Sequence, residues 1–261
     1  MDEPAEKAAA QRRTYQITMA EFCMKIAGHA AKVTSCFEST PQYFKSYLCD
    51  EAPEFSITVT RENIDFEQAD LLEEAHRDGF RPRVFTDPFL ERAAIQRAFA
   101  EFLFHHNILL FHGSAIAVDG AGYLFTAHSG TGKSTHTRLW RQVFGDRAVM
   151  INDDKPFLEL RSDGIWLHGS PWSGKHGLDA NVCVPLKGIC ILQRGIENHI
   201  RPATREESLP MLQKQAYQPL ADTHSAFPAL VDNLSHRAAL WKLCCNKEPQ
   251  AAEIAWEAMH L

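Results

Sequence analysis

The chain has 261 residues, 45% of them hydrophobic, and a formal net charge of −6 at pH 7. This length suffices for one large domain or two modest ones with a sizeable core. The acidic balance, with Arg12-Arg13 as the longest basic run, argues against a nucleic-acid partner, which needs clustered cations. No apolar run approaches the ~20 residues of a membrane span, and no signal-peptide pattern opens the chain. We therefore expect a cytoplasmic protein with no membrane partner.

The seven cysteines form no C-x-x-C pair and no zinc-ligand spacing. An odd number of cysteines scattered among apolar neighbours is typical of reduced thiols. We expect them to be mostly buried, as small core side chains.

The first part of the chain predicts a small α+β domain over residues 15–86, preceded by a disordered N-terminus over residues 1–14. Strands are predicted at 15–26 and 54–60, and helices from Ser39-Thr40-Pro41 and over 66–76. A proline at an early helical position, after hydroxyl residues that can cap, favours a helix start there.

A long helix is predicted from Asp87, its capping residue, to about His106. Its apolar stripe consists of Ile95, Phe99, Phe102 and Leu103, which we interpret as core. The helix opens a second domain, predicted over residues 87–261.

The second domain contains a hairpin, because Asp119-Gly120-Ala121-Gly122 separates the apolar runs 114–118 and 123–126. Further strands are predicted at 109–111, 148–151, 157–160, 165–167, 181–186, 188–192 and 240–245, and helices at 135–144, 206–217, 226–239 and 249–259. One helix enclosed by hairpins indicates a mixed, largely antiparallel sheet.

The stretch from Ala127 to Thr135 has the chemistry of a phosphate-binding loop that enters a helix. Glycines let successive amides face an anion, a lysine reaches terminal phosphates, and the next hydroxyl can bind Mg²⁺. The predicted nucleotide-binding residues are Ser129, Gly130, Thr131, Gly132, Lys133, Ser134 and Thr135. Ala127 replaces the usual opening glycine. The structural alternative is a glycine-rich turn with a solvated lysine.

Two adjacent acids, Asp153 and Asp154, follow the predicted strand 148–151. Phosphoryl transfer needs a metal on the phosphates and a carboxylate that receives the proton of the attacking hydroxyl, and two acids at a strand end suit both needs. The alternative is an acidic turn before Lys155-Pro156.

The order of these features resembles the catalytic domain of HPr kinase/phosphorylase, whose core is shared with ATP-dependent phosphoenolpyruvate carboxykinase. The resemblance covers about residues 108–200 and rests on His112-Gly113, the hairpin, the string 129–135, a helix, and Asn152-Asp153-Asp154. More specifically, the chain looks like HPr-kinase-like proteins of bacterial peptide-modification gene clusters, some of which are serine kinases acting on peptides.

The resemblance implies roles for individual residues. Asp153 would be the general base, and Asp154 would hold Mg²⁺ together with Ser134, although the order of the two acids could be reversed. His112 would orient Asp153 or hold its charge; a satisfied core histidine is the alternative.

The segment from His168 to His176 is a glycine-rich loop that could close over the transferring phosphate. Ser173, Gly174 and Lys175 are its candidate substrate contacts, and Arg194, at a predicted strand end, is another. The family's acidic metal ligand and arginine have no match in this loop, which leaves Asp179 and Asn181 as substitutes. A surface turn with Trp172 packed inward is the alternative.

The sequence thus predicts an α/β, or mixed α+β, fold of the HPr kinase C-terminal and carboxykinase type. The predicted activity is Mg²⁺-dependent phosphoryl transfer from ATP, which the sequence does not distinguish from GTP, to a hydroxyl, most favourably Ser of a peptide or protein. A small-molecule kinase and a non-catalytic, nucleotide-gated binding protein are the alternatives. Related kinases form rings, which favours a homo-oligomer.

Overall fold

The computed structural model of the protein describes residues 19–77, 79–220 and 226–260. The chain divides into two compact units, residues 1–99 and 100–261. The division lies inside a helix, whereas the sequence analysis drew the domain boundary between residues 86 and 87. The predicted disordered N-terminus and the first residues of the predicted strand 15–26 lie outside the described residues.

The first unit is built on a three-stranded sheet in the order β1-β2-β3. Its strands are β1 (Ala20–Ile26), β2 (His29–Ser35) and β3 (Phe55–Thr58), and its helices are α1 (Thr40–Tyr43), α2 (Arg61–Arg77) and the first part of α3 (Asp87–Phe104). β1 and β2 form a hairpin across Ala27-Gly28, where both residues have positive φ. The sequence analysis missed β2, because its alanines and lysine have low strand propensity.

The second unit carries the longer sheet. Its strands are β4 (Ile108–Leu110), β5 (Ser114–Val118), β6 (Ala121–Thr126), β7 (Ala148–Asn152), β8 (Phe157–Arg161), β9 (Gly164–His168), β10 (Cys183–Arg194), β11 (His199–Pro202) and β12 (Leu240–Cys245). Its helices after α3 are α4 (Lys133–Phe144), α5 (Arg205–Gln215), α6 (Ala226–Arg237) and α7 (Gln250–Met259). No helix in the described part of the chain combines the length and apolar character needed to traverse a bilayer.

The strand order β4-β8-β9-β10-β6-β5-β7 continues at β10 into β12 and then β11. β10 runs parallel to both β6 and β12, and the other neighbouring strands of this sheet pair antiparallel. The prediction of a mixed, largely antiparallel sheet in a mixed α+β protein is therefore confirmed.

β10 was wrongly predicted as two strands, 181–186 and 188–192. It is continuous, and its register against β6 shifts between Leu186 and Gly188. Its first residues pair with β9, and its later ones pair with β6 and β12. A Cβ at Gly188 would lie 3.2 Å from the Trp241 ring, so glycine allows close packing of β10 at this position.

The topology brings several chain segments to one edge of this sheet. β6 and β7 both run antiparallel to β5, so both end at the edge where β5 begins. Successive strands lie about 4.8 Å apart, which puts the ends of β6 and β7 within roughly 10 Å of each other. The loop after β6, the turn after β7 and the residues before β5 therefore meet.

Helix α4 is fastened to the sheet by Trp140, a fully buried side chain. The Trp140 ring lies 4.7 Å from the Tyr123 ring and 5.2 Å from the Phe125 ring, between centroids. Its indole N–H donates to His136 Nε2 at 3.0 Å. Burial lowers the pKa of His136 to about 3, so this imidazole is a neutral acceptor.

We expect Trp140→Ala to lower the free energy of unfolding by about 3–5 kcal/mol, because it leaves a large cavity under α4. Trp166→Ala is the matched control: Trp166 is partly exposed on β9, so its loss should cost less than half as much. Urea unfolding followed by circular dichroism measures both. Equal losses for the two variants would contradict the anchoring role of Trp140.

Candidate active site

The loop between β6 and α4 has the backbone that the sequence predicted for an anion site. Gly130 and Gly132 have φ values of +75° and +129°, which L side chains rarely adopt. Gly132 precedes the first residue of α4, and no side chain caps the helix there. The first amides of α4, with the positive end of the helix dipole, therefore suit a bound anion.

Ala127 stands where this kind of loop usually opens with glycine. Its side chain is 1% exposed and packs in the core beside the end of β6. A methyl group is therefore accommodated on the sheet side of the loop, away from the two glycines with positive φ.

Lys133 is the first residue of α4, and its ammonium lies 3.4 Å from the Ala127 carbonyl oxygen. Burial lowers the pKa of Lys133, while the negative charge of Asp154 opposes that shift. The cation therefore lies beneath the loop and within electrostatic range of the turn after β7.

That turn is held by Asn152, the last residue of β7, whose side chain is fully buried. Its Oδ1 accepts from the backbone N–H groups of Asp154 at 2.7 Å and Lys155 at 2.6 Å. Its Nδ2 donates to the Ser170 carbonyl oxygen at 2.8 Å. One amide thus fixes the turn and ties it to the glycine-rich loop. Asn152 was not among the predicted site residues, although an Asn at a strand end is the signal of such a turn.

Asp153 contacts the glycine-rich loop. Its side chain accepts from the Gly174 N–H at 2.5 Å through Oδ1, and Oδ2 is buried without a hydrogen-bond partner among the described residues. Burial raises the pKa of Asp153, and the bond from Gly174 only partly opposes this. A Cβ at residue 174 would lie 3.2 Å from Oδ2, so glycine allows the close approach.

Asp154 faces different partners. Its Oδ1 lies 3.3 Å from His112 Nε2, and its Oδ2 lies 4.0 Å from Lys155 Nζ. Burial acts to raise the pKa of Asp154, but the bond from His112 and the charges of Lys155 and Lys133 hold it below its ordinary value. Asp154 is therefore ionised at neutral pH, and its pKa is shifted in the direction opposite to that of Asp153.

His112 lies beside Asp154, not beside Asp153 as the sequence analysis suggested. Its backbone N–H donates to the Gln215 carbonyl oxygen at 2.8 Å, and its own carbonyl accepts from the Thr126 hydroxyl at 3.1 Å. The next residue, Gly113, donates to the Asp154 carbonyl oxygen at 3.0 Å. Burial lowers the pKa of His112 despite the nearby carboxylate, which favours the neutral imidazole.

The four candidate substrate contacts, Arg194 and three residues of the glycine-rich loop, differ in their surroundings. The Arg194 guanidinium donates to the carbonyl oxygens of Thr131, at 3.2 Å, and Gly130, and so holds the loop between β6 and α4. In the glycine-rich loop, Ser173 Oγ donates to Asp179 Oδ2 at 2.9 Å, and Lys175 is exposed. Trp172 is buried, as predicted by the alternative interpretation of this loop as a surface turn with Trp172 packed inward.

The remaining predicted residues complete the loop and the start of the helix. Ser129 is exposed, whereas Thr131, Ser134 and Thr135 are partly buried. Ser134 and Thr135 belong to the first turn of α4. Lys155, which the sequence analysis did not assign, joins Lys133 as a second ammonium beside Asp154.

A group of three or more His, Cys, Asp or Glu side chains that could hold a metal ion is absent from the described residues. The site fits a different kind of cation site, in which one or two carboxylates act with a hydroxyl, water and substrate phosphates, as Mg²⁺ prefers. The ionised Asp154 and the unpaired oxygen of Asp153 provide such donors.

Comparison with known proteins adds little to this geometry. Neither a protein-family model nor a curated protein matches the chain. Among solved structures, the Hpr(Ser) kinase/phosphatase from Coxiella burnetii is similar over 49% of this chain and 88% of its own, with 14% sequence identity and a TM-score of 0.27. A similarity at that TM-score carries no argument about fold or activity, so the case for a function rests on the site.

The pairing of His112 with Asp154 predicts opposite effects of two substitutions on the pKa of His112. Asp154→Asn removes the carboxylate that raises this pKa and should lower it further, whereas Lys155→Gln removes a cation and should raise it. NMR titration of the imidazole measures both shifts, with Asp163→Asn as a control in an exposed turn. Unchanged or same-direction shifts would show that His112 does not contact this cluster in solution.

Proposed function

We propose that the protein is a nucleotide- and Mg²⁺-dependent kinase that transfers the γ-phosphoryl group of ATP to a hydroxyl, most favourably that of a Ser in a peptide or protein. The observation that carries the proposal is the juxtaposition of the uncapped loop-helix junction at Lys133 with the carboxylates after β7. We also propose that the sheet belongs to the phosphate-loop-containing type that the resemblance implied.

The loop from Ser129 to Ser134 would bind the phosphates. Positive φ at Gly130 and Gly132 turns backbone amides toward an anion, and α4 adds its dipole. Lys133, partly desolvated beneath the loop, would neutralise the terminal phosphates. Arg194 keeps the loop in this shape through its two carbonyl contacts.

Asp154 and Ser134 would hold Mg²⁺, with His112 fixing the Asp154 carboxylate. The lowered pKa of Asp154 favours this assignment, because a metal ligand must be ionised. When bound, the ion would neutralise negative charge on the phosphates.

Asp153 would receive the proton of the attacking hydroxyl. A raised pKa makes its carboxylate the more basic of the two, and Oδ2 has no hydrogen-bond partner among the described residues. Its contact with Gly174 puts the glycine-rich loop next to the acceptor position, so movement of this loop would admit the hydroxyl. Exposed Lys175 would then contact the acceptor.

Substitution of Lys133 by alanine should abolish turnover and weaken ATP binding, because the site loses the charge that faces the phosphates. Lys187→Ala, an exposed lysine on β10, is the matched control and should bind like the wild type. Calorimetry with ATP and Mg²⁺, together with labelled-phosphate transfer to Ser-containing peptides encoded beside the gene, measures both effects. Full activity of the Lys133 variant would refute the assignment.

Asp153→Asn should lower the rate of phosphoryl transfer by roughly 10²–10⁴-fold while ATP binding persists, because only the proton acceptor is lost. In the wild type the rate should fall with decreasing pH as the raised pKa of Asp153 is crossed, since the protonated acid accepts no proton. Rate-versus-pH profiles of both proteins provide the measurement. A variant that still transfers phosphate at the wild-type rate would refute the role of Asp153. A partner response that depends on nucleotide and persists in the variant, without any transfer by the wild type, would favour a non-catalytic binding protein.

A further inference from the structure

Two cysteines of the first unit lie in contact. Cys23 is on β1, and Cys49 follows the 3-10 turn Lys45–Tyr47; their sulfur atoms are 3.5 Å apart. The expectation that the cysteines are mostly buried is wrong, because only Cys36 and Cys190 of the seven are buried. Cys23 and Cys49 are partly exposed, so a small reagent can reach them.

The backbone brings the two residues directly opposite each other. Met24 and Leu48 form an antiparallel bridge, and the Cys49 N–H donates to the Cys23 carbonyl oxygen at 3.1 Å. Residues opposite each other in such a pair have Cα atoms about 4.5–5.5 Å apart, inside the range that a disulfide spans. A salt bridge of 2.7 Å between Lys25 and Glu51 ties the same two segments together.

From this geometry we infer that Cys23 and Cys49 form a reversible dithiol site that is oxidised to an intramolecular disulfide by low-molecular-weight disulfides such as glutathione disulfide. In the first exchange the Cys49 thiolate attacks one sulfur of the oxidant, forms a mixed disulfide and releases one glutathione. In the second, the Cys23 thiolate attacks the Cys49 sulfur and releases the other glutathione. Two protein S–H bonds become one S–S bond, and the two protons leave on the two glutathione thiols.

Cys49 is assigned the first attack because of the surroundings of Cys23. Burial, the contact with Cys49 and the nearby acids Glu51 and Asp50 raise the pKa of Cys23 to about 11. The Cys23 S–H also lies 3.4 Å from the Glu51 carbonyl oxygen. Cys23 is therefore the resolving thiol, placed in contact with the sulfur it must attack.

The other cysteines lack this arrangement. The Cys36 thiol is buried and donates to the Val59 carbonyl oxygen. Cys244 and Cys245 are consecutive residues of β12, where successive side chains point to opposite faces of the sheet. The inference concerns the first unit and is independent of the proposed phosphoryl transfer.

Peptide mapping tests the inference on the full chain. After incubation with glutathione disulfide and alkylation, trypsin separates Cys23 (residues 14–25), Cys36 (33–45) and Cys49 (46–61) into three peptides. We expect peptides 14–25 and 46–61 to appear linked, about 2 Da lighter than their summed masses. The link should disappear after reduction and be absent from Cys49→Ser, while Cys36→Ser should retain it.

The same variants show whether the folded chain forms the link. The oxidised wild type should unfold at a higher temperature than its reduced form, with no such difference for Cys49→Ser. If Cys23 and Cys49 remain separate or carry only bound glutathione under these conditions, the inference is overturned. A link from Cys23 to a cysteine other than Cys49 would overturn it as well.

Discussion

The side-chain amide of Asn152 is the interaction on which the candidate site depends. Its carbonyl oxygen accepts from two successive backbone N–H groups of the turn, and its nitrogen donates to the segment that leads into the glycine-rich loop. Because the group is fully buried, these bonds are shielded from water. Asp153 and Asp154 therefore leave the strand in defined directions.

The pKa values of the two neighbouring acids are shifted in opposite directions. Burial raises the pKa of Asp153, which contacts the Gly174 amide, whereas His112, Lys155 and Lys133 hold the pKa of Asp154 below its ordinary value. Carboxylates whose pKa values are separated in this way can divide acid-base and charge-holding roles between them. This separation, more than the presence of two acids, supports the proposed division into a proton acceptor and a metal ligand.

Two cationic side chains, those of Lys133 and Arg194, contact the loop between β6 and α4. Lys133 lies beneath the loop and shares an electrostatic environment with Asp154, while Arg194 binds the loop carbonyls from outside. Arg194 thus stabilises the conformation of the loop backbone, and Lys133 retains the charge that would face an anion. The proposed dithiol pair, Cys23 and Cys49, belongs to the first unit, and its oxidation would link β1 to a neighbouring segment of that unit.

Local patterns in the sequence were enough to predict the hairpin of β5 and β6, helix α4, the glycine-rich loop that enters it and the paired acids. Each of these depends on spacing and turn chemistry within a few residues. Long-range packing decided the rest. The pairing of β5 with both β6 and β7 brings His112 to Asp154, and the register shift in β10 joins two predicted strands. The pKa values of the two acids separate because His112, Lys155 and Lys133 surround Asp154 and outweigh the effect of burial, which raises the pKa of Asp153. Such contacts between residues far apart in the chain leave no local periodicity, so only the tertiary structure specifies them.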